Sequence, residues 1–287
     1  MNVILSEAKD LKTIKIMKKL LLLCAVIVAA CTSNTVTIVQ IADAQLGFDA
    51  AVKGSVPGAE YVNDLTFEVE CLKATVAKVN EIKPDIVVFT GDQVHLAADL
   101  EQWDAFMQII DDIDPSIKVF HLPGNHDHVF KDGVADPADF IARFGSDRFF
   151  AKDAGVNLIG LNTSLIYFNS DSEQGQMEWL ESSLAQTNKD EVTLVFGHHP
   201  YFCEDIDEED THVQITKGKR RQYFDLFKEH GVDAVFAGHL HDNRAAEYEG
   251  IPMLTTTSSG YQLGDASASV RLITVSGTKV TEELLPL

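Results

Sequence analysis

Short apolar runs recur along the chain, and five of them end in a small polar cluster. The runs are residues 36–42, 86–90, 119–122, 192–196 and 234–237. They are rich in β-branched side chains, too short for helices, and bounded by turn residues, which predicts buried strands of the parallel type. The clusters that follow are Asp43-Ala44-Gln45, Gly91-Asp92, Gly124-Asn125-His126-Asp127, Gly197-His198-His199 and Gly238-His239-Leu240-His241. Between the runs the period lengthens. Leu65, Val69, Leu72, Val76 and Val79 fall on one helical face, with Asn63 or Asp64 as its cap. Residues 100–110 predict a helix whose buried stripe is Trp103, Phe106, Met107 and Ile110, and residues 137–144 a short one. Residues 172–186 predict another, with Met177, Leu180 and Leu184 inward. A last helix starts in the basic run 217–221. Residues 46–62, rich in Gly, Ala and Pro, read as a loop. Further strands are expected at 148–151, 156–161, 244–248, 253–256 and 269–275, with a final segment at 279–285. Helix and strand alternate early and strands dominate late. This predicts one α/β domain over residues 35–287, with a parallel-containing sheet and an antiparallel C-terminal addition.

A chain of 287 residues with 45% hydrophobic content can bury one large core. Its balance of 23 basic to 44 acidic side chains, a formal net charge of -21, repels phosphate backbones and disfavours nucleic acid as a bulk partner. A small phosphorylated substrate at a cationic metal centre stays compatible with that charge, because the metal dominates the local field.

The N-terminus adds a targeting signal. Lys18-Lys19 precede an apolar stretch, residues 20–30, and then Cys31. The stretch is shorter than the roughly 20 residues a bilayer demands and fits the core of a signal peptide; Met17 gives a more ordinary start for one than Met1. Val28-Ala29-Ala30 before Cys31 resembles the lipobox of bacterial lipoproteins. That likeness implies a signal segment over residues 1–31, a lipidated Cys31, and a protein held in the bacterial cell envelope, facing the periplasm or the exterior. Membrane contact is then by the lipid anchor only. A plain secretory signal with an incidental cysteine is the alternative. Cys71 and Cys203 lack zinc-site spacing. They read as two buried free thiols, with a disulfide left open.

In open α/β sheets, ligands bind beyond the carboxyl ends of the strands. The five clusters stand there, so they can converge on one pocket. They supply seven candidate metal ligands: Asp43, Gln45, Asp92, Asn125, His198, His239 and His241. Seven is too many for one tetrahedral ion and suits two, with Asp92 as a bridge. Two ions can share a hydroxide and clamp a phosphoryl group for in-line attack. His126, spare in the count, is placed to donate a proton to the leaving oxygen.

The ordered set resembles the calcineurin-like metallophosphoesterases, whose signature is D-x-[HQ], G-D, G-N-H-[DE], G-H and G-H-x-H. The likeness runs from about Thr35 to Leu287. It implies the family's four-layer αββα sandwich of the metallo-dependent phosphatase type, with two sheets flanked by helices. It further implies that Asp43, Gln45, Asp92 and His241 hold one metal, and that Asp92, Asn125, His198 and His239 hold the second. His126 becomes the leaving-group acid, oriented by Asp127. The cofactor is then two divalent or trivalent ions drawn from Mn, Fe, Zn or Mg. Gln45 stands where many members have His, and an amide oxygen shifts preference towards harder metals. Gln45-Leu46-Gly47-Phe48, His95, Tyr201-Phe202 and Gly260-Tyr261-Gln262-Leu263-Gly264 resemble one branch with Gln in the first motif, some of whose members act on Ser/Thr phosphoproteins. The expected activity is hydrolysis of phosphate monoesters in phosphoproteins, nucleotides or small metabolites. Residues 175–180 also resemble cyclic-nucleotide-type phosphodiesterases of this fold, which keeps diesters as an alternative. A non-catalytic metal- or partner-binding lipoprotein is the alternative of another class.

Other side chains are left with two readings each. His95 stands where the related purple acid phosphatases carry a ligating Tyr, and is either a supplementary ligand or a packing histidine. His199 and His128 either touch substrate phosphate or serve the structure; His121 reads as core. Tyr201 and Tyr261 either stack on a substrate ring or pack in the core or rim. The acidic stretch 204–210 either overhangs the pocket as a selector or is a solvated loop. The basic run 217–221 either contacts substrate or is a solvated helix start.

Overall fold

The computed structural model describes residues 35–131 and 134–287, Lys131 by its backbone alone. The signal and lipobox reading, Cys31 included, lies outside the described residues. In chain order the elements are β1 (Thr35–Ile41), α1 (Phe48–Gly54), α2 (Thr66–Ile82), β2 (Ile86–Thr90), α3 (Leu100–Ile110), β3 (Lys118–Leu122), β4 (Val129–Lys131), β5 (Val134–Asp136) and α4 (Ala138–Phe144). There follow β6 (Phe149–Asp153), β7 (Val156–Gly160), α5 (Thr163–Tyr167), α6 (Glu173–Leu184), β8 (Val192–Phe196), α7 (Lys217–His230), β9 (Ala234–Ala237), β10 (Arg244–Tyr248), β11 (Ile251–Thr255), β12 (Ser269–Ser276) and β13 (Lys279–Pro286).

Two sheets result. The first has strand order β13-β12-β1-β2-β3, the second β10-β11-β9-β8-β7-β6. In the first, β1, β2 and β3 run parallel, while β12 pairs antiparallel to β1 and β13 to β12. In the second, β7, β8, β9 and β11 run parallel, flanked by antiparallel β6 and β10. The period-2 pattern assigns every face. Val36, Ile38, Ile86, Val88, Leu194, Phe196 and Phe236 meet between the sheets. Their alternates Val39, Ile41, Val87 and Phe89 face outward onto α2 and α3 through Leu72, Val76, Trp103 and Phe106. On the other side Val195 and Val235 face α6 and α7 through Leu180, Leu184, Phe224 and Phe227. The layers are therefore helix, sheet, sheet, helix, as the family resemblance implies.

The strand ends that carry the motifs are bound together by buried polar groups. Gln40 donates to Thr90 Oγ1 at 3.1 Å and to the carbonyl of Ala237 at 2.9 Å, crossing from the first sheet to the second. Thr256 donates to Gln40 Oε1 at 2.7 Å, and Arg271 donates to Thr256 Oγ1 and the carbonyl of Thr255, both at 2.8 Å. Glu282 accepts from the same guanidinium. A buried arginine is tolerated because its donors are matched by acceptors.

Four expectations need correction. Residues 46–62 contain α1, which buries Asp49 and Ala50 and donates the Asp49 amide to Glu68 of α2. In α3 the inward stripe takes Ile109 in place of Met107, which is 37% exposed. The polar stretch after the third cluster holds the β4–β5 hairpin. The cap position of α2 falls to Leu65 and not to Asn63 or Asp64; Asp64, one residue earlier, accepts from the Thr66 amide at 3.0 Å.

Candidate metal centre

Three of the five motif turns leave their strands through unusual backbone. Asp43, Gln45, Asp92, His239 and His241 all have positive φ, between 40° and 72°. Among the described residues nine non-glycine positions do so, and five of them are these candidate ligands. Left-handed backbone costs an L-residue about 1–2 kcal/mol, so the surrounding structure must impose it. Hydrogen bonds between turns supply that constraint. Asp43 N donates to Gly91 O at 3.2 Å, Gln45 N to Asp92 O at 2.8 Å and Gly238 N to His198 O at 2.9 Å. His239 N donates to Asp43 Oδ2 at 2.9 Å. Gly91, at φ +96°, is required twice over: a Cβ there would lie 2.5 Å from His198 Nδ1 and 2.7 Å from the Gly124 nitrogen.

The turns bring their side chains together. His198 is fully buried, and its Nδ1 hydrogen goes to the carbonyl of Thr90 at 2.9 Å. That fixes the tautomer and leaves Nε2 as a lone pair. Around Nε2 stand Asn125 Oδ1 at 3.1 Å, His239 Nδ1 at 3.1 Å and Asp92 Oδ2 at 3.3 Å. His241 follows the same scheme: Nδ1 donates to the carbonyl of Tyr261 at 2.5 Å, and Nε2 lies 3.6 Å from Asp43 Oδ1. Gln45 Oε1 is buried without a hydrogen-bond partner. Two ligand groups close within 4.8 Å, one of Asp43, Asp92 and His198, the other of His198, His199 and His239. Carboxylates and imidazole lone pairs converge with too few donors among them, and the orphaned amide oxygen of Gln45 belongs to the first of these turns. Such a donor set fits divalent metal.

The charges say the same. Burial opposes ionisation of Asp92, but the imidazoles of His198, His126 and His239 outweigh it and hold the carboxyl well below the usual carboxylate range. Burial also opposes a cationic His198, and Asp92 with Asp43 overcomes it, pushing that imidazole up to about 9. Burial raises Asp43, and burial first and His198 second push His239 down to about 3.

His126 sits beside this centre. Its backbone N–H donates to Asp92 Oδ1 at 2.9 Å, and its Nδ1 lies 2.8 Å from the carbonyl of His95. Orientation by Asp127 is not what the structure shows. Asp127 accepts from the amides of Gln93 at 2.9 Å, Val94 at 3.2 Å and Gly124 at 2.8 Å, so it clamps the second turn to the third. The ring of His95 stacks on His126 at 4.6 Å and touches Phe48 at 5.3 Å. His199 stacks on Tyr167 at 4.3 Å and lies 4.5 Å from His239, with a buried Nε2 that has no partner. His128 Nε2 faces Asn162 Oδ1 at 3.3 Å. His121 is stacked between Phe89 and Phe144, as the core reading expects. Tyr201 lies in the core, whereas the Tyr261 ring packs on Phe48. Thr163 was not visible in advance; its Oγ1 accepts from the amides of both His198 and His199. Only its place just beyond a buried strand hinted at such a role.

The acidic and basic runs find each other. Arg220, with no exposed surface, donates to the carbonyls of Ile215 and Glu208 and to Asp210, and Arg221 pairs with Asp207. Glu208 in turn accepts from the amides of Cys203 and Glu204. The stretch is a braced loop whose acidic side chains are mostly exposed, and both arginines are committed to it, Arg220 buried and Arg221 at the surface. The loop lines a cleft of about 500 Å³ with Leu240, Asp242 and Arg244, next to the last motif turn. Cys71 and Cys203 are free thiols, half-buried rather than buried.

Residues 36–243 match the family model of the calcineurin-like phosphoesterases. The chain belongs to that family. It is similar to the serine/threonine-protein phosphatase CPPED1 of Danio rerio, with 32% identity over 261 residues covering 84% of this chain and 82% of that protein. The rat protein of the same name is 28% identical over 231 residues, covering 77% and 74%. Among solved structures, a dimetal phosphatase from Danio rerio superposes with a TM-score of 0.61 at 16% identity, over 86% of this chain and 98% of its own. Purple acid phosphatase PPD1 from yellow lupin gives 0.63 at 14% identity, over 88% and 52%. At such identities these two structures speak for the sandwich fold alone. The calcineurin-like phosphoesterase described here is thus a metal-dependent phosphoric ester hydrolase that acts on phosphorylated substrates, in a family whose centre is dinuclear.

Proposed function

We propose that this phosphoesterase hydrolyses phosphate monoesters, with His126 as proton donor to the departing alcohol. One observation carries the proton-donor role: the Nδ1 hydrogen of His126 is committed to a carbonyl, so in the imidazolium form the second proton sits on Nε2, the atom free to transfer it. Asp43, Gln45, Asp92 and His241 would hold one ion, and Asp92, Asn125, His198 and His239 the other. Bound there, the ions would supply Lewis acidity and would lower the pKa of water towards neutrality. The protein's own part is positional. Thr90 and Tyr261 present the imidazoles by their Nε2 atoms, and Asp127 keeps Asp92 and Asn125 on adjoining turns. The CPPED1 proteins, named as Ser/Thr phosphatases, support the monoester over the diester. Residues 175–180, which resemble the diesterases, lie in α6, where Gln176 exchanges two hydrogen bonds with the backbone of Asn162.

The test is a substrate panel on the full-length chain with Mn, Fe, Zn and Mg added separately. It includes aryl phosphate mono- and diesters, nucleotides and phosphopeptides. Monoesters are expected to lead; a tenfold or greater diester preference would reverse the substrate class. Asp92→Asn is expected to abolish turnover, and activity left unchanged would mark a contaminant.

The envelope location belongs to the same proposal and rests on residues 18–31 alone. Cys31→Ser is expected to release the protein from membranes and to end its labelling by a fatty-acid analogue. Continued labelling would overturn it.

A further inference from the structure

The ring of His126 is held by one peptide unit, the one joining His95 to Leu96. Its carbonyl oxygen receives the Nδ1 hydrogen of His126 at 2.8 Å, and its N–H donates to Gln102 Oε1 at 2.8 Å. A peptide unit is planar and rigid, so a side chain that fixes the N–H also fixes the carbonyl on the opposite edge. It also polarises that carbonyl, which strengthens it as an acceptor. Gln102 Oε1 also shares the His95 N–H, at 3.1 Å, with the carbonyl of Leu46 at 2.9 Å.

Gln102 is itself braced. It has no exposed surface and sits in the first turn of α3, its backbone N–H directed at Asp99 Oδ1 at 3.3 Å. Its Nε2 donates to Asn63 Oδ1 at 3.3 Å, which settles which end of the amide is the oxygen. Asn63 in turn donates to Asp99 at 3.0 Å. A side chain on an outer-layer helix is therefore connected, through one peptide, to the imidazole beside the metal centre.

We propose that Gln102 is the positioning residue of the proton donor, setting the aim of the His126 ring through the His95–Leu96 peptide. The proposal rests on the reading of His126 as the acid. Proton donation matters most when the departing alcohol is a poor leaving group and little when it is a good one. A loosened His126 must therefore impair phenyl phosphate more than p-nitrophenyl phosphate, whereas a general loss of structure impairs both alike.

The experiment compares kcat and KM for these two esters in the manganese-loaded full-length chain and in Gln102→Met, Gln102→Asn, Gln102→Glu and His126→Gln. The first has the same length with no acceptor; the second keeps the amide and falls short. The third keeps carboxylate oxygens in reach of both N–H groups. Gln102→Met is expected to lower kcat for phenyl phosphate about tenfold more than for p-nitrophenyl phosphate, with KM little changed, and Gln102→Glu to restore most of the difference. Should the Met variant fail to fold, Gln102→Asn carries the same expectation. Equal losses on both esters, or no loss, in a folded Gln102 variant would overturn the proposal while His126→Gln still shows the leaving-group bias. Absence of that bias in His126→Gln would instead overturn the proton-donor reading, and Gln102's role with it.

Discussion

Five candidate ligands in left-handed backbone place the strain of this protein where its chemistry is. At Gly91 the constraint is steric as well as conformational. Gly91→Ala is expected to destabilise the fold by about 3 kcal/mol and to weaken metal binding, checked by urea melts and metal titration. His198 gives a prediction in pH. Its imidazole is pushed up to about 9 in the metal-free protein, against roughly 6.5 in an unfolded chain. A raised folded-state value adds stability that is complete below pH ~6.5 and lost as pH climbs through about 9. The metal-free protein should therefore melt at lower temperature as pH rises across that window. Metal uptake at pH 7 should release a proton, with affinity increasing up to pH ~9. Melting curves with chelator and with manganese check the first, and calorimetry in two buffers of different ionisation enthalpy the second.

Among the elements, the braced acidic loop makes the sharpest case. Arg220→Met removes a guanidinium that satisfies buried carbonyls, and should cost about 3 kcal/mol while opening residues 204–210 to protease. Limited proteolysis and thermal melts check it. The same loop shows what the sequence carries and what it does not. The five motif strands and α3 are legible because apolar period and run length record which face is buried. The ligand residues are legible because side-chain chemistry is written in letters. Arg220 is not, since its partners are backbone carbonyls and acids across a turn that only the fold brings close. Asp127 misleads for a related reason: it neighbours His126 in sequence, yet its carboxylate turns to three amides. The true partner of the imidazole is the carbonyl of His95, and a main-chain oxygen leaves no letter. α1 is hidden by Gly, Ala and Pro that read as loop.

For the molecule as a whole, a formal net charge of -21 opposes the approach of every anionic substrate. Raising ionic strength from about 20 to 150 mM shortens the Debye length from roughly 20 to 8 Å. The value of kcat/KM for a dianionic monoester is then expected to rise a few-fold, with a smaller rise for a monoanionic diester. A fall would show that local positive potential at the metals dominates capture.

The placement of β12 also sets an order in time. The strand that delivers Asp43 has β2 on one side and β12 on the other, and Thr35 pairs with Ser276. A ribosome releases β1 long before β12, so the first sheet stays open on that side until β12 has been made. Pairings of such long sequence separation are slow to form. The polar bridge from Gln40 to Arg271 must wait as well. The chain thus has a built-in delay, in which the first motif is made early and set only once β12 has arrived.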